Sequence, residues 1–211
     1  MPRIPATERR AALVRAALTV SSRDGLAAAT TRAIVREARM PLASFHYAVA
    51  SRDELLREVV ELVVAGEGQA AGSLLGDARD IRQAVRDALG AYLALVRSDP
   101  GHEQAMFELT QYALRTPGLD DLPPAQYRSY HAAAQALLEE GAARVGIRWA
   151  VPVADLARLL VTMTDGLTLA WLADRDDAAA DRAADLAADA VAAFAVHRTP
   201  AVTPTRTKVP A

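Results

Sequence analysis

Arg32, Arg36 and Arg52 lie close in the chain to the hydroxyl and ring side chains of Thr31, Ser44, His46 and Tyr47, all within Thr30 to Leu56, TTRAIVREARMPLASFHYAVASRDELL. Guanidinium groups, hydroxyls and a phenol are the groups that hold phosphate oxygens and approach base edges. Arg32 and Arg36 are four residues apart, so a helix turns both toward the same side, where a phosphate backbone could run. Leu42 and Ala43, just ahead of Ser44, are small or apolar enough to lie near bases.

The same segment supplies the elements that must position these groups. A first helix starts at Thr30 or Thr31, whose hydroxyls can cap free backbone N–H groups, and buries Ile34 and Ala38 at i, i+4. Pro41 suits the first turn of the next helix, which places the turn at Arg39 and Met40. A helix of about two turns follows, LASFHYA, with Phe45 facing the core opposite Ser44. Such a short helix suits end-on entry into a major groove, with its N-terminal residues toward the bases. Ser51 to Glu54, SRDE, forms a capping box, so a third helix begins at once. Arg52 in its first turn opposes the helix dipole, a small cost that makes sense if it faces phosphate. The segment is a helix-turn-helix, and it points to duplex DNA.

Charge follows the same division. The net charge is −2, yet residues 1–58 carry ten arginines against six acids, a net +4, and the rest of the chain is net −6. A basic head on an acidic body fits one end meeting phosphate. The 211 residues are enough for a substantial core, and alanine and leucine dominate while aromatic residues are only 5%, which favours an all-helical protein. The absence of cysteine excludes disulfides, thiolate metal sites and cysteine nucleophiles, and suits a reducing compartment. MPRIPATERRAAL lacks the apolar core of a secretory signal, and no uncharged run reaches the roughly 20 residues of a membrane span, so a soluble, cytosolic protein without a membrane partner is expected.

Helical periodicity and punctuation divide the rest. A first helix runs from about Thr7 to Arg23 and ends at Asp24-Gly25. Others are expected from Ser51 to about Leu74, Ala78 to Ser98, His102 to Arg115, Ala125 to Val145, Val153 to Ala173 and Ala178 to His197. Asp99-Pro100-Gly101, the run Thr116 to Pro124 and the run Gly146 to Pro152 are read as breaks. The last two helices form an antiparallel hairpin, and residues 199–211, with three prolines, read as a disordered tail.

The first helix, the TTRAIVREA helix, the short helix ending in FHY and the SRDELL helix start together resemble the TetR family of one-component bacterial transcription regulators, over about Thr7 to Glu61. Asp165-Gly166-Leu167 within an apolar helix is similar to a tripeptide frequent in that family's penultimate helix. The resemblance implies an all-α fold of about nine helices, with a DNA-binding head over residues 1–50 and a ligand-binding and dimerisation body over residues 51–198. It further implies a homodimer that blocks a palindromic double-stranded operator and lets go when a small effector enters each body. Thr31 and Arg32 would meet the DNA backbone, Leu42 and Ala43 the base edges, and Ser44, His46 and Tyr47 would lie on the recognition helix. Arg52 stands where the family usually has a phosphate-holding lysine.

Three positions depart from the family pattern. Arg39 replaces the usual turn glycine, which costs roughly 1 kcal/mol if it must take positive φ. His46 replaces the usual aromatic residue and has Tyr47 beside it, leaving open which ring turns to phosphate. Val49 replaces a phenylalanine in the head's core.

The family keeps its cavity among the body helices, where Tyr92, Met106, Phe107, Gln111 and Met163 are candidates to line it, implying an apolar or aromatic effector. For the dimer, Leu160, Met163, Leu167 and Trp171 form a stripe on the penultimate helix, and Leu186, Ala190, Ala193 and Phe194 form one on the last. Asp165 is expected to hydrogen-bond inside the bundle or answer a cationic ligand group. An enzyme is not expected, nor a cofactor or metal: no histidine follows a glutamate at i+3, and neither Gly-x-Ser-x-Gly nor a Walker loop is present. The competing reading is a helical small-molecule-binding or adaptor protein with weakened DNA binding, to which the three departures give some support.

Overall fold

Glycine and proline punctuation sets most boundaries in the computed structural model, which describes residues 5–72 and 79–197, the side chains of 64–72 apart. Helix α1 (Ala6–Asp24) begins just before Thr7, with Pro5 at its N-cap, and ends at Gly25, whose φ of 85° needs no Cβ. A 3₁₀ turn at Leu26–Ala28 leads to α2 (Thr31–Glu37), capped by the Thr30 hydroxyl, which accepts from the Ala33 N–H at 3.2 Å. Arg39 does take positive φ, 54°. Helix α3 (Leu42–Ala48) starts one residue after Pro41, whose extended ψ of 148° puts it at the N-cap rather than inside the first turn.

The capping box forms at the head of α4 (Arg52–Gly72): Ser51 Oγ accepts from the Glu54 N–H at 3.0 Å. The Glu54 carboxylate reaches back to the Ala50 N–H at 2.7 Å. The expected continuation of this helix to Leu74, and the expected start of the next at Ala78, lie outside the described residues.

In the body, α5 (Ile81–Ser98) is capped by Asp80, which accepts from the Gln83 N–H at 2.8 Å. Asp99-Pro100-Gly101 is not a break but the cap and first turn of α6 (Pro100–Ala113), with Asp99 accepting from the His102 N–H. Proline at a first helical turn forfeits no helical hydrogen bond, and the same reason admits Pro123 and Pro124 to the start of α7 (Leu122–Val145). Gly146, at φ 73°, ends α7.

Two short strands went unread in the sequence. β1 (Ile147–Trp149) pairs antiparallel with β2 (Ala195–His197), Ile147 opposite His197. Between them stand α8 (Val153–Asp174) and α9 (Asp177–Ala192), so the last helix stops at Ala192 rather than His197. The expected tail, 199–211, lies outside the described residues.

Buried side chains form successive cores. The head closes on Leu13, Ala17, Val20, Ile34, Phe45 and Val49, completed by Leu55 and Val59 from α4. A junction cluster of Leu26, Leu56, Val60, Met106 and Leu109 joins head to body. The body core gathers Leu89, Leu93, Leu138, Leu156, Val161, Trp171 and Val191. Helix α8 is long and apolar enough to cross a membrane by length and composition alone, and its inner face packs into this core. An ion ladder fastens α5 to α9, Arg82 to Asp189, Arg86 to Asp185 and Arg97 to Asp181. Exposed pairs of this kind contribute little singly, and here they fix which faces of the two helices meet.

Candidate DNA-binding face and effector cavity

Helix α3 is held by one anchor. Phe45 is 2% exposed in the head core, and Val49 just beyond the helix is also buried, as the sequence implied. That anchoring turns the other side of the helix outward: Leu42, Ala43 and His46 are exposed, and Tyr47 is 82% exposed. Ser44 is half-buried, as is Thr31 at the start of α2. Tyr47 projects into solvent, while His46 stacks edge-on against Phe45 with ring centroids 5.8 Å apart. Arg32, Arg36 and Arg39 are exposed, and among the described residues no side-chain hydrogen bond or ion pair holds them.

Arg52 is placed differently from its expected role. Its Nε donates to the Ala29 carbonyl and its Nη2 to the Leu26 carbonyl, both at 2.8 Å. The guanidinium also lies 5.3 Å from the centre of the Tyr112 ring on α6. The Leu26 carbonyl takes the Arg52 bond in addition to the Ala29 N–H of the 3₁₀ turn, and the Ala29 carbonyl takes the other, so Arg52 acts as an internal tie between α4, the turn and α6. Arg10 likewise joins α1 to Glu54, Glu58 and the Ala48 carbonyl.

The body contains a cavity of about 160 Å³ walled by α5, α6, α7 and α8. Tyr92, Met106 and Phe107 line it, as expected. Gln111 does not, being exposed on the outer side of α6, and Met163 packs against the body core instead. The polar lining that sequence reasoning missed is Glu103, Thr110, Gln126, Tyr127 and Tyr130, and Asp165 faces the same space. Glu103 shares one helical stripe with Met106, Phe107 and Thr110, and that periodicity was the available signal.

The polar groups form two short chains and a separate pair. Gln126 donates to the Tyr130 hydroxyl at 2.9 Å and accepts from Thr110 at 3.2 Å. Tyr127 donates to Asp165 Oδ2 at 2.8 Å. The Tyr92 hydroxyl lies 2.9 Å from Thr168 Oγ1 and donates to Glu103 Oε2 at 3.4 Å. Burial raises the Glu103 pKa to about 7, the Tyr92 hydrogen bond opposing and the Asp165 and Asp99 charges assisting. Burial also raises Asp165, against the Tyr127 hydrogen bond and the nearby His131.

Helix α6 touches the head on its other side. Glu108 accepts from the Leu26 N–H at 2.6 Å. Gly101 lies so close to α1 that a Cβ there would sit 2.1 Å from the Ser22 carbonyl oxygen.

The stripe expected to form the subunit contact on α8 turns inward. Trp171 is buried in the body core and donates to Asp177 Oδ1, and Leu160, Met163 and Leu167 pack around the same core, Leu160 also lining the cavity. The opposite side of α8 carries Thr162, Gly166, Leu169, Ala170 and Ala173, all exposed, with Leu169 58% exposed. On α9, Leu186 is 69% exposed and Ala190 is half-buried; past its end, Ala193 is exposed and Phe194 packs against the core.

Comparison with known proteins agrees with this architecture. The family model for the C-terminal domain of BetI-type transcriptional repressors matches residues 81–196, more than half of the chain. The nicotine-responsive helix-turn-helix repressor HdnoR of Paenarthrobacter nicotinovorans is 29% identical over 175 residues, covering 83% of this chain and 89% of that protein. Among solved structures, a transcriptional regulator from Rhodococcus sp. Rha1 superposes with a TM-score of 0.72 at 18% identity, over 88% of this chain and 97% of that one. A TetR regulator from Haloarcula marismortui gives 0.72 at 17% identity, over 90% of this chain and all (100%) of that one. With an exposed recognition-type helix in its head and a walled cavity inside a body that matches the BetI-type C-terminal domain, the chain belongs to the TetR family of transcriptional regulators.

Proposed function

We propose that this regulator is a repressor that grips a palindromic operator as a homodimer and releases it when a small molecule fills the body cavity. The observation that carries the reading is the outward face of α3, where Leu42, Ala43, His46 and Tyr47 stand exposed around a single buried anchor, Phe45. Two such helices enter successive major grooves about 34 Å apart. Thr31 and Arg32 meet the phosphate backbone, with Arg36 and Arg39 adding positive field; Leu42, Ala43 and Ser44 approach base edges; Tyr47 reaches a phosphate or a base. Arg52 supports the head from within instead of touching DNA.

The subunits meet through the outward faces of α8 and α9, with Leu169, Leu186, Ala190 and Ala193 at the contact and Gly166, Ala170 and Ala173 letting the backbones approach. Helix α6 links effector to head, because Glu103, Met106 and Phe107 face the cavity while Glu108 holds Leu26 and Tyr112 sits against Arg52. A relative described as nicotine-responsive is consistent with a small organic effector. An effector that prefers the DNA-incompetent arrangement about a hundredfold couples the sites by about 2.7 kcal/mol.

The test is binding to duplex fragments from the region around the protein's own gene, followed by fluorescence anisotropy. A dimer should occupy each site, Tyr47→Ala and His46→Ala should weaken it, and affinity should fall steeply with salt. A protein that binds none of these fragments, and does not shift other duplex DNA at low salt, is the helical small-molecule-binding protein instead.

A further inference from the structure

The cavity is acidic as well as apolar. Glu103 and Asp165 both line it, and no arginine or lysine does among the described residues. Neither carboxylate is well served by its neighbours. Thr168 gives its own hydroxyl proton to the Thr164 carbonyl at 2.8 Å. The Tyr92 hydroxyl therefore divides one proton between Thr168 Oγ1 and the more distant Glu103 Oε2, leaving Glu103 a long share. Asp165 receives one phenolic hydrogen bond, from Tyr127. The Asp165 charge adds to the cost of ionising the buried Glu103, and Asp165 is offset by its Tyr127 hydrogen bond and by His131, which stands beside Tyr127 outside the lining.

The walls between the acids suit one kind of guest. Tyr92, Tyr127, Tyr130 and Phe107 bring aromatic rings, whose faces attract a positive charge, and Leu89 and Val161 add apolar lining. The volume, about 160 Å³, resembles that of an engineered cavity of roughly 150 Å³ that takes a benzene ring. We propose that the cavity is a site for a small organic cation, an ammonium group joined to a single-ring or similarly compact apolar body, with its charge between Glu103 and Asp165 and its body against Phe107, Leu89 and Val161. The inference rests on reading the cavity as the effector site and narrows the effector from apolar or aromatic molecules at large to cationic ones.

A matched pair of probes isolates the charge: benzyltrimethylammonium and its neutral carbon isostere, neopentylbenzene. Titration of the full-length protein, followed by calorimetry and by tyrosine and tryptophan fluorescence, should give at least about tenfold tighter binding of the cation. Glu103→Gln and Asp165→Asn should each weaken the cation about tenfold and leave the neutral probe within twofold, which also shows that the variant cavities are intact. Three results overturn the site: no cation binding at millimolar concentration, equal binding of the two probes, or full cation affinity in both variants. Operator release by the same cation is measured separately. Tight, acid-dependent cation binding without release upholds the site and removes the ligand-released mechanism. Operator binding by a protein that ignores the cation overturns the site and leaves the DNA-binding reading intact.

Discussion

At the residue scale, the largest revision concerns a charge whose position was legible and whose partners were not. Arg52 follows the capping serine, as expected, but the carbonyls of Leu26 and Ala29 come within reach only once the chain turns back after α1. Arg52→Ala should therefore lower stability by about 1–3 kcal/mol in denaturant unfolding, because two carbonyls lose a charged donor. Lysine at this position has one compact head, cannot address both carbonyls in plane, and should restore the loss only partly. A variant of full stability whose DNA affinity alone drops would return Arg52 to the phosphate-holding role. Arg39 is the opposite case: it stands where the resembled family usually has a turn glycine, which flagged positive φ there, and it takes a φ of 54°. Glu103 carries a pH signature. Its pKa is raised from 4.5 to about 7, so the folded state holds its proton more firmly than the unfolded chain does between those values. Stability from this group is then full below about pH 4.5 and is lost as pH rises through 7, with burial chiefly setting the folded value, the Tyr92 hydrogen bond opposing it and Asp165 and Asp99 assisting. Glu103→Gln should remove that slope and leave the variant more stable than wild type above pH 7, by on the order of 1–3 kcal/mol. Parallel melting curves of the two proteins across this range would contradict the assignment.

At the element scale, helices were read well where a capping residue or glycine marks them, as at Ser51, Gly25 and Gly146, and poorly where proline opens them. Pro100, Pro123 and Pro124 look like breakers in a linear sequence, yet each stands in a first turn. The β1–β2 ladder was illegible for a different reason. The run through Val191 to Val196 continues the composition of α9, and only the arrival of Ile147–Trp149 alongside gives its backbone partners. The cavity was half legible: apolar members follow helical spacing, whereas Glu103 resembles any surface acid until α5 and α8 cover it. Among these elements α6 faces the cavity with Glu103, Met106 and Phe107 and meets the head through Glu108 and Tyr112. Gly101 makes the contact with α1 close, since an added Cβ would fall 2.1 Å from the Ser22 carbonyl. Gly101→Ala should thus force α6 and α1 apart, destabilise the fold by about 1–3 kcal/mol, and alter operator affinity even though it touches neither DNA nor cavity. Unchanged melting temperature and unchanged operator affinity would show that the packing of these helices relaxes freely and transmits nothing.

At the scale of the whole molecule, the inward turn of Trp171, Leu160 and Leu167 changes which surface has to find a partner. Those side chains complete the protomer's own core, and they leave on α8 a face of Thr162, Gly166, Leu169, Ala170 and Ala173 beside Leu186 and Ala193 at α9. Single exposed leucines are ordinary, but an apolar stripe with small residues on two adjacent helices is the surface expected of an isologous contact, where each residue meets the same set on its twofold mate. A charge placed there is buried twice in the dimer, once from each subunit. Leu169→Asp, or Leu186→Asp, should then shift the protein from dimer to monomer at micromolar concentration by light scattering, without large change in the melting of the monomer, since both side chains are more than half exposed in the protomer. Affinity for the palindrome should fall with it, because two heads tied together gain from effective concentration and a single head does not. Trp171→Ala should behave in the opposite way, opening a cavity in the body core and costing about 3–5 kcal/mol of stability before it affects association. If the aspartate variants remain dimeric at wild-type strength, the subunits meet elsewhere, and the outward face of α8 and α9 is not the contact that spaces the recognition helices.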